Sequence, residues 1–63
     1  MREKFYEQIE GYISLREDFR KNGEWDMVAH EMITIEARAD LARVLGIITL
    51  DEYREIVKRI GLL

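Results

Sequence analysis

The stretch "ARVLGIITLDEYREIVKRI", residues 42–60, contains the signals that decide how this chain folds. Gly46 stands where a helix would end, because glycine readily adopts the left-handed conformation that follows a helix C-terminus. Thr49 and Glu52 have the spacing of a capping box, which marks the start of the next helix. The stretch therefore predicts that one helix stops and another begins within a few residues.

Outward from this stretch, apolar residues recur at helical spacing along the rest of the chain. The dipeptide Asn22-Gly23 is a turn signal between two such segments, and Gly61 follows the third. Three helices are predicted, at residues 3–21, 25–45 and 50–60. We expect residues 1–63 to form one all-α domain in which a long antiparallel helical hairpin carries a short third helix.

The small size of the chain makes a second copy an expected source of stability. Burial of apolar surface contributes about 100 kcal/mol at ~25 cal/mol/Å², and ordering the residues costs about 95 kcal/mol. The chain has no cysteine, so a disulfide cannot add to this small difference. We therefore expect the helices to complete a bundle by homodimerisation, and a well-packed bundle of one chain is the alternative.

The second predicted helix supplies the expected interface. Its apolar residues recur at steps that alternate between three and four, as they do along a coiled-coil seam. The predicted interface consists of Arg16, Trp25, Val28, Met32, Ile35, Glu36, Ala39, Ala42 and Arg43.

Three of these interface residues are charged, although they fall within apolar helix faces. A buried charge is unfavourable without a partner, so Arg16, Glu36 and Arg43 each need one or must reach water. In one interpretation, Arg16 of one subunit pairs with Glu36 of the other. In the second, Arg16 extends to water and Glu36 accepts a hydrogen bond from a tyrosine hydroxyl, such as that of Tyr6 or Tyr12.

The net charge of the chain disfavours binding to polyanions. Thirteen acidic and ten basic side chains give a net charge of −3, which opposes binding to nucleic acid and to anionic membranes. No apolar run approaches the ~20 residues of a membrane span. The charged N-terminus lacks the apolar region of a signal peptide. We expect a cytoplasmic protein that binds no membrane.

The side chains that could carry out chemistry are few. His30 is the only histidine, with Asp26 four residues before it, and no third metal ligand follows at matching spacing. Ser14, Thr34 and Thr49 have no neighbouring histidine that could activate a hydroxyl. The chain also lacks a glycine-rich phosphate loop. We therefore expect a protein that is not an enzyme and needs no cofactor or metal.

Residues 38–60 also allow a second interpretation, a helix-turn-helix that binds DNA. Ala42 and Gly46 have the spacing of the small residue and the turn glycine in such motifs, but the next expected apolar position comes one residue late, at Tyr53. The recognition helix contacts DNA through its N-terminal half. Here residues 51–55 hold three carboxylates and one arginine, which would face phosphates. DNA binding is therefore the alternative rather than the first choice.

The C-terminal segment resembles a known kind of helical tail. Its pattern G-x-I-T-x-x-E-Y/F is similar to that of the SHOCT (short C-terminal) domain and of other short bacterial and phage helical segments. The matching positions are Gly46, Ile48, Thr49, Glu52 and Tyr53. The resemblance implies an oligomerisation or interaction element without catalytic activity. The sequence as a whole thus predicts a small acidic protein–protein interaction module, acting as a regulatory adaptor or a phage-type inhibitor.

Overall fold

The computed structural model describes residues 1–62 and contains three helices and no strand in that part of the chain. The helices are α1 (Arg2–Lys21), α2 (Trp25–Val44) and α3 (Leu50–Arg59). Each boundary lies within one residue of the predicted one, and the predicted all-α class is confirmed. Leu63, the last residue of the predicted domain, lies outside the described residues.

All three helices end in the same hydrogen-bonded motif. After α2, the N–H of Gly46 donates to the carbonyl of Arg43 at 3.1 Å, and the N–H of Ile47 donates to the carbonyl of Ala42 at 2.8 Å. These paired bonds are those of a Schellman motif, which requires a left-handed residue after the helix. Gly46 provides it with φ of 77°. The other two helices end in this way at Gly23 and Gly61.

The start of α3 follows the predicted capping box. The hydroxyl oxygen of Thr49 accepts the backbone N–H of Glu52 at 3.2 Å, and the Glu52 carboxylate accepts the backbone N–H of Thr49 at 3.0 Å. Ile48 is buried and Tyr53 is half-buried, and both belong to the core. Local sequence chemistry therefore fixes both sides of the turn between α2 and α3.

The core is built around α2, which packs against α1 and α3. Because α1 and α2 are joined by a short turn and pack along their lengths, they run in opposite directions. Each helix contributes isoleucines, and two alanines of α2 let its neighbours approach closely. The buried cluster comprises Ile9, Ile35, Ala39, Ala42, Ile48, Ile56 and Ile60. Full burial of one such isoleucine contributes about 1.5–3 kcal/mol.

Helices α1 and α3 meet through long side chains, since no Cα of one lies within 8 Å of a Cα of the other. The guanidinium of Arg2 donates to both oxygens of Glu52, with 2.7 Å to Oε1, and the Tyr6 hydroxyl donates to Oε2 at 2.8 Å. Further along, Arg59 donates to Glu10 at 2.5 and 3.0 Å. These contacts close the third side of the bundle.

Candidate interaction surfaces

The apolar residues of the predicted interface lie mostly in the core of the single chain. The four that are buried, at 0–7% exposure, are Val28, Ile35, Ala39 and Ala42. Met32 is half-buried, whereas Trp25 is 64% exposed. The coiled-coil seam is thus covered by α1 and α3, because the hairpin and the short helix already give α2 two neighbours. In this conformation the four buried side chains are covered within the single chain.

The charged residues of the predicted interface each have a contact within the chain. The guanidinium of Arg16, 13% exposed, donates to Glu17 at 3.1 Å, although its Nε is buried without a hydrogen-bond acceptor. Glu36 accepts a hydrogen bond from the Tyr53 hydroxyl at 2.7 Å. No ion pair joins Arg16 to Glu36 within residues 1–62. Glu36 is therefore partnered by a tyrosine hydroxyl, although by that of a different tyrosine from the two predicted.

Arg43 lies beside the Glu36–Tyr53 hydrogen bond and forms a polar cluster with it between α2 and α3. It donates to Asp40 at 2.6 Å, and its guanidinium carbon lies 5.5 Å from the centre of the Tyr53 ring. The hydrogen bond to Glu36 is the main cause that raises the pKa of Tyr53, and burial adds to it. This cluster holds α3 on α2 and leaves Arg43 only half-exposed.

A second apolar face of α2 points away from the core. We call Ile33, Ala37, Leu41 and Val44 the outer stripe. Ile33 is 69% exposed, Leu41 57% and Val44 66%, and Ala37 is also exposed. At ~100° per residue these four lie within one narrow arc, opposite the buried face of α2. A helix that is apolar on two opposite sides is typical of a helix that is covered on both sides. Within residues 1–62, nothing covers the side formed by the outer stripe.

A groove runs between the start of α1 and the end of α2. Its apolar lining includes Phe5, Leu41, Leu45 and Ile47, and Lys4 and Arg38 are its charged residues. We call it the α1–α2 groove. Its volume is about 210 Å³, below the ~300–1,000 Å³ of sites for drug-sized ligands and cofactors. The groove has room for one or two side chains.

The sequence pattern did not identify either surface. The signal for the outer stripe is present in the sequence, because α2 carries apolar residues on two opposite sides, but a single coiled-coil seam accounts only for the stronger periodicity. The α1–α2 groove joins residues more than thirty positions apart in the sequence, which no local pattern reveals.

The described residues form neither a metal-binding cluster nor a membrane-spanning helix. His30 is exposed, and residues 1–62 contain no group of three side chains that could hold a metal ion. Within the same residues, every helix is too short or too polar to cross a bilayer.

Comparisons with protein-family models, with curated proteins and with solved structures find no match for this chain. The candidate function therefore rests on the geometry of the outer stripe and the α1–α2 groove.

Proposed function

We propose that the protein is a small acidic interaction module, a regulatory adaptor or inhibitor that acts by binding another protein and that works as a homodimer. The observation that carries this proposal is the outer stripe. Exposed apolar residues scattered singly on a surface are ordinary, but a continuous row along one helix is a feature of interaction sites.

The order of residues in the outer stripe suits a second copy of the same chain. Ala37 lies four residues after Ile33 and four before Leu41, so the stripe has a small residue between two large ones. When two such helices cross antiparallel about a two-fold axis at Ala37, each Ile33 faces the partner's Leu41. The two alanines then meet at the crossing point and allow close approach. A self-complementary patch of this kind is what a two-fold dimer requires.

The small size of the outer stripe predicts a weak dimer. It consists of four exposed side chains, far fewer than the ~20–30 residues per partner of a standard stable interface. We therefore expect the monomer and dimer to exchange, with a dimer fraction that rises with protein concentration.

Sedimentation equilibrium over a range of concentrations tests this proposal. For the wild type we expect an average mass that rises from the 7.5 kDa of one chain towards twice that value. The Ile33→Glu variant places a charge in the stripe and should remain at the monomer mass. The matched control is Leu15→Glu, at a 40% exposed position of α1 away from the stripe, which should behave as the wild type. A wild type that stays monomeric throughout would contradict homodimerisation.

A further inference from the structure

We infer that the α1–α2 groove binds an apolar segment of a partner protein in which carboxylates flank the apolar side chains. The inference rests on the proposed role as an interaction module, but not on the homodimer. It concerns a surface whose centre lies beside the outer stripe, with Leu41 at the border between the two.

The apolar part of the groove is exposed and held in place by backbone bonds. Leu45 is 65% exposed and Leu41 57% exposed. Leu45 is the last residue before the left-handed Gly46, and Ile47 is fixed by its hydrogen bond to the carbonyl of Ala42 at 2.8 Å. The groove is therefore formed before a partner arrives, which lowers the entropic cost of binding.

The charge of the groove is opposite to that of the whole chain. Among residues 1–62, no carboxylate lines it, although the chain has thirteen acidic residues and a net charge of −3. A neighbouring surface hollow along the first half of α1, by contrast, is lined by three glutamates. The α1–α2 groove is thus where an acidic segment can approach with attraction from nearby cations.

Both cations of the groove are free to meet a carboxylate. Neither Lys4 nor Arg38 takes part in an ion pair within residues 1–62, whereas five other arginines of that range pair with Asp or Glu. The guanidinium of Arg38 lies 5.1 Å from the centre of the Tyr12 ring. Such a cation–π contact orients the group without neutralising its charge.

Selection from a randomised displayed peptide library tests the inference, with the immobilised wild-type protein as the target. We expect the enriched peptides to share at least two apolar residues next to Asp or Glu. A synthetic copy of the most enriched peptide should bind at least about tenfold more weakly to Lys4→Glu/Arg38→Glu. The control Lys21→Glu/Arg54→Glu changes the net charge equally at exposed positions outside the groove and should bind like the wild type.

A second pair of variants tests the apolar part of the groove. Leu45→Ser should weaken binding of the same peptide, whereas Leu50→Ser, at a 48% exposed position on α3, should not. Absence of enrichment, peptides with basic flanks, or equal binding to Lys4→Glu/Arg38→Glu would each overturn the inference.

Binding of the same peptide to Ile33→Glu, the variant expected to be monomeric, shows whether the groove depends on the homodimer. Unchanged binding to that variant supports a groove that works in one chain. Loss of binding there would overturn the groove as an independent site, even if the wild type dimerises.

Discussion

Among single residues, Glu52 joins the most distant parts of the chain. Its carboxylate accepts the backbone N–H of Thr49 and hydrogen bonds from Arg2 and Tyr6. The contact with Thr49 could be predicted, because a capping box spans four consecutive positions. The contacts with Arg2 and Tyr6 could not, because they depend on how α1 is placed against α3.

These contacts predict how stability depends on pH. The hydrogen bond from Arg2, followed by those from Thr49 and Tyr6, lowers the pKa of Glu52 from 4.5 to about 2. A carboxyl whose pKa is lower in the folded state stabilises the protein at any pH above its pKa in the unfolded state. This stabilisation is lost as the pH falls towards the pKa of the folded state. We expect urea midpoints to fall between pH 4.5 and 2, and to fall less in Glu52→Gln.

The control for this prediction is Glu7→Gln, which changes an exposed carboxyl of α1 that forms no ion pair within residues 1–62. It should keep the acid dependence of the wild type. An unchanged acid dependence in Glu52→Gln would contradict the role given to this carboxylate.

The hydrogen bond from Tyr53 to Glu36 gives a second prediction for single residues. Tyr53→Phe removes the hydroxyl and leaves a half-buried carboxylate with one donor fewer, so it should reduce the free energy of unfolding by about 1–2 kcal/mol. Tyr12→Phe is the control, because the Tyr12 hydroxyl donates no side-chain hydrogen bond within residues 1–62. Urea unfolding of both variants measures the difference, and equal losses would contradict the assignment.

At the level of helices, the boundaries were predictable because they are set by local chemistry. Glycine after a helix, a threonine before one and the four-residue spacing of the capping box all act within a few positions. Local chemistry does not predict whether a helix face is covered by another helix of the same chain or by a second subunit. The periodicity of α2 correctly marked Ile35, Ala39 and Ala42 as buried, but it could not show that α1 and α3 cover them rather than a second subunit.

Two glycine substitutions with opposite effects test the account of the helix ends. Within residues 1–62, a Cβ on Gly46 or Gly11 would meet no atom within 4 Å apart from its neighbouring backbone, so the preferred backbone conformation determines the sign of each effect. Gly46→Ala forces alanine into a left-handed conformation and should cost about 1 kcal/mol. Gly11→Ala, inside α1, should instead stabilise the protein by about 1 kcal/mol. Thermal or urea unfolding gives both signs, and stabilisation by Gly46→Ala would contradict the motif.

The helix-turn-helix alternative can be tested on α3. Asp51 and Glu55 are exposed among its first six residues, beside the exposed Arg54, and Glu52 is paired with Arg2. We expect no retardation of duplex DNA fragments even at low salt, where phosphate contacts are strongest. A retarded band that disappears in Arg54→Ala would favour the DNA-binding function over the interaction module.

In the molecule as a whole, α2 is a central helix with two apolar sides. One side forms the core with α1 and α3, and the other side, the outer stripe, is left uncovered by the described part of the chain. The sequence predicted three helices and a self-associating second helix. It placed the association on the stronger of the two apolar faces, which folding of the single chain already uses. We therefore propose that the homodimer forms through the opposite face.

A dilution series followed by two-dimensional NMR on the labelled wild type tests this division of α2 most directly. We expect resonances of Ile33, Ala37 and Val44 to shift with protein concentration as the dimer forms. Resonances of the buried Ile35 and Ala39 should stay in place, because α1 and α3 cover them in monomer and dimer alike. Shifts confined to Ile35 and Ala39, or no concentration dependence anywhere on α2, would contradict it.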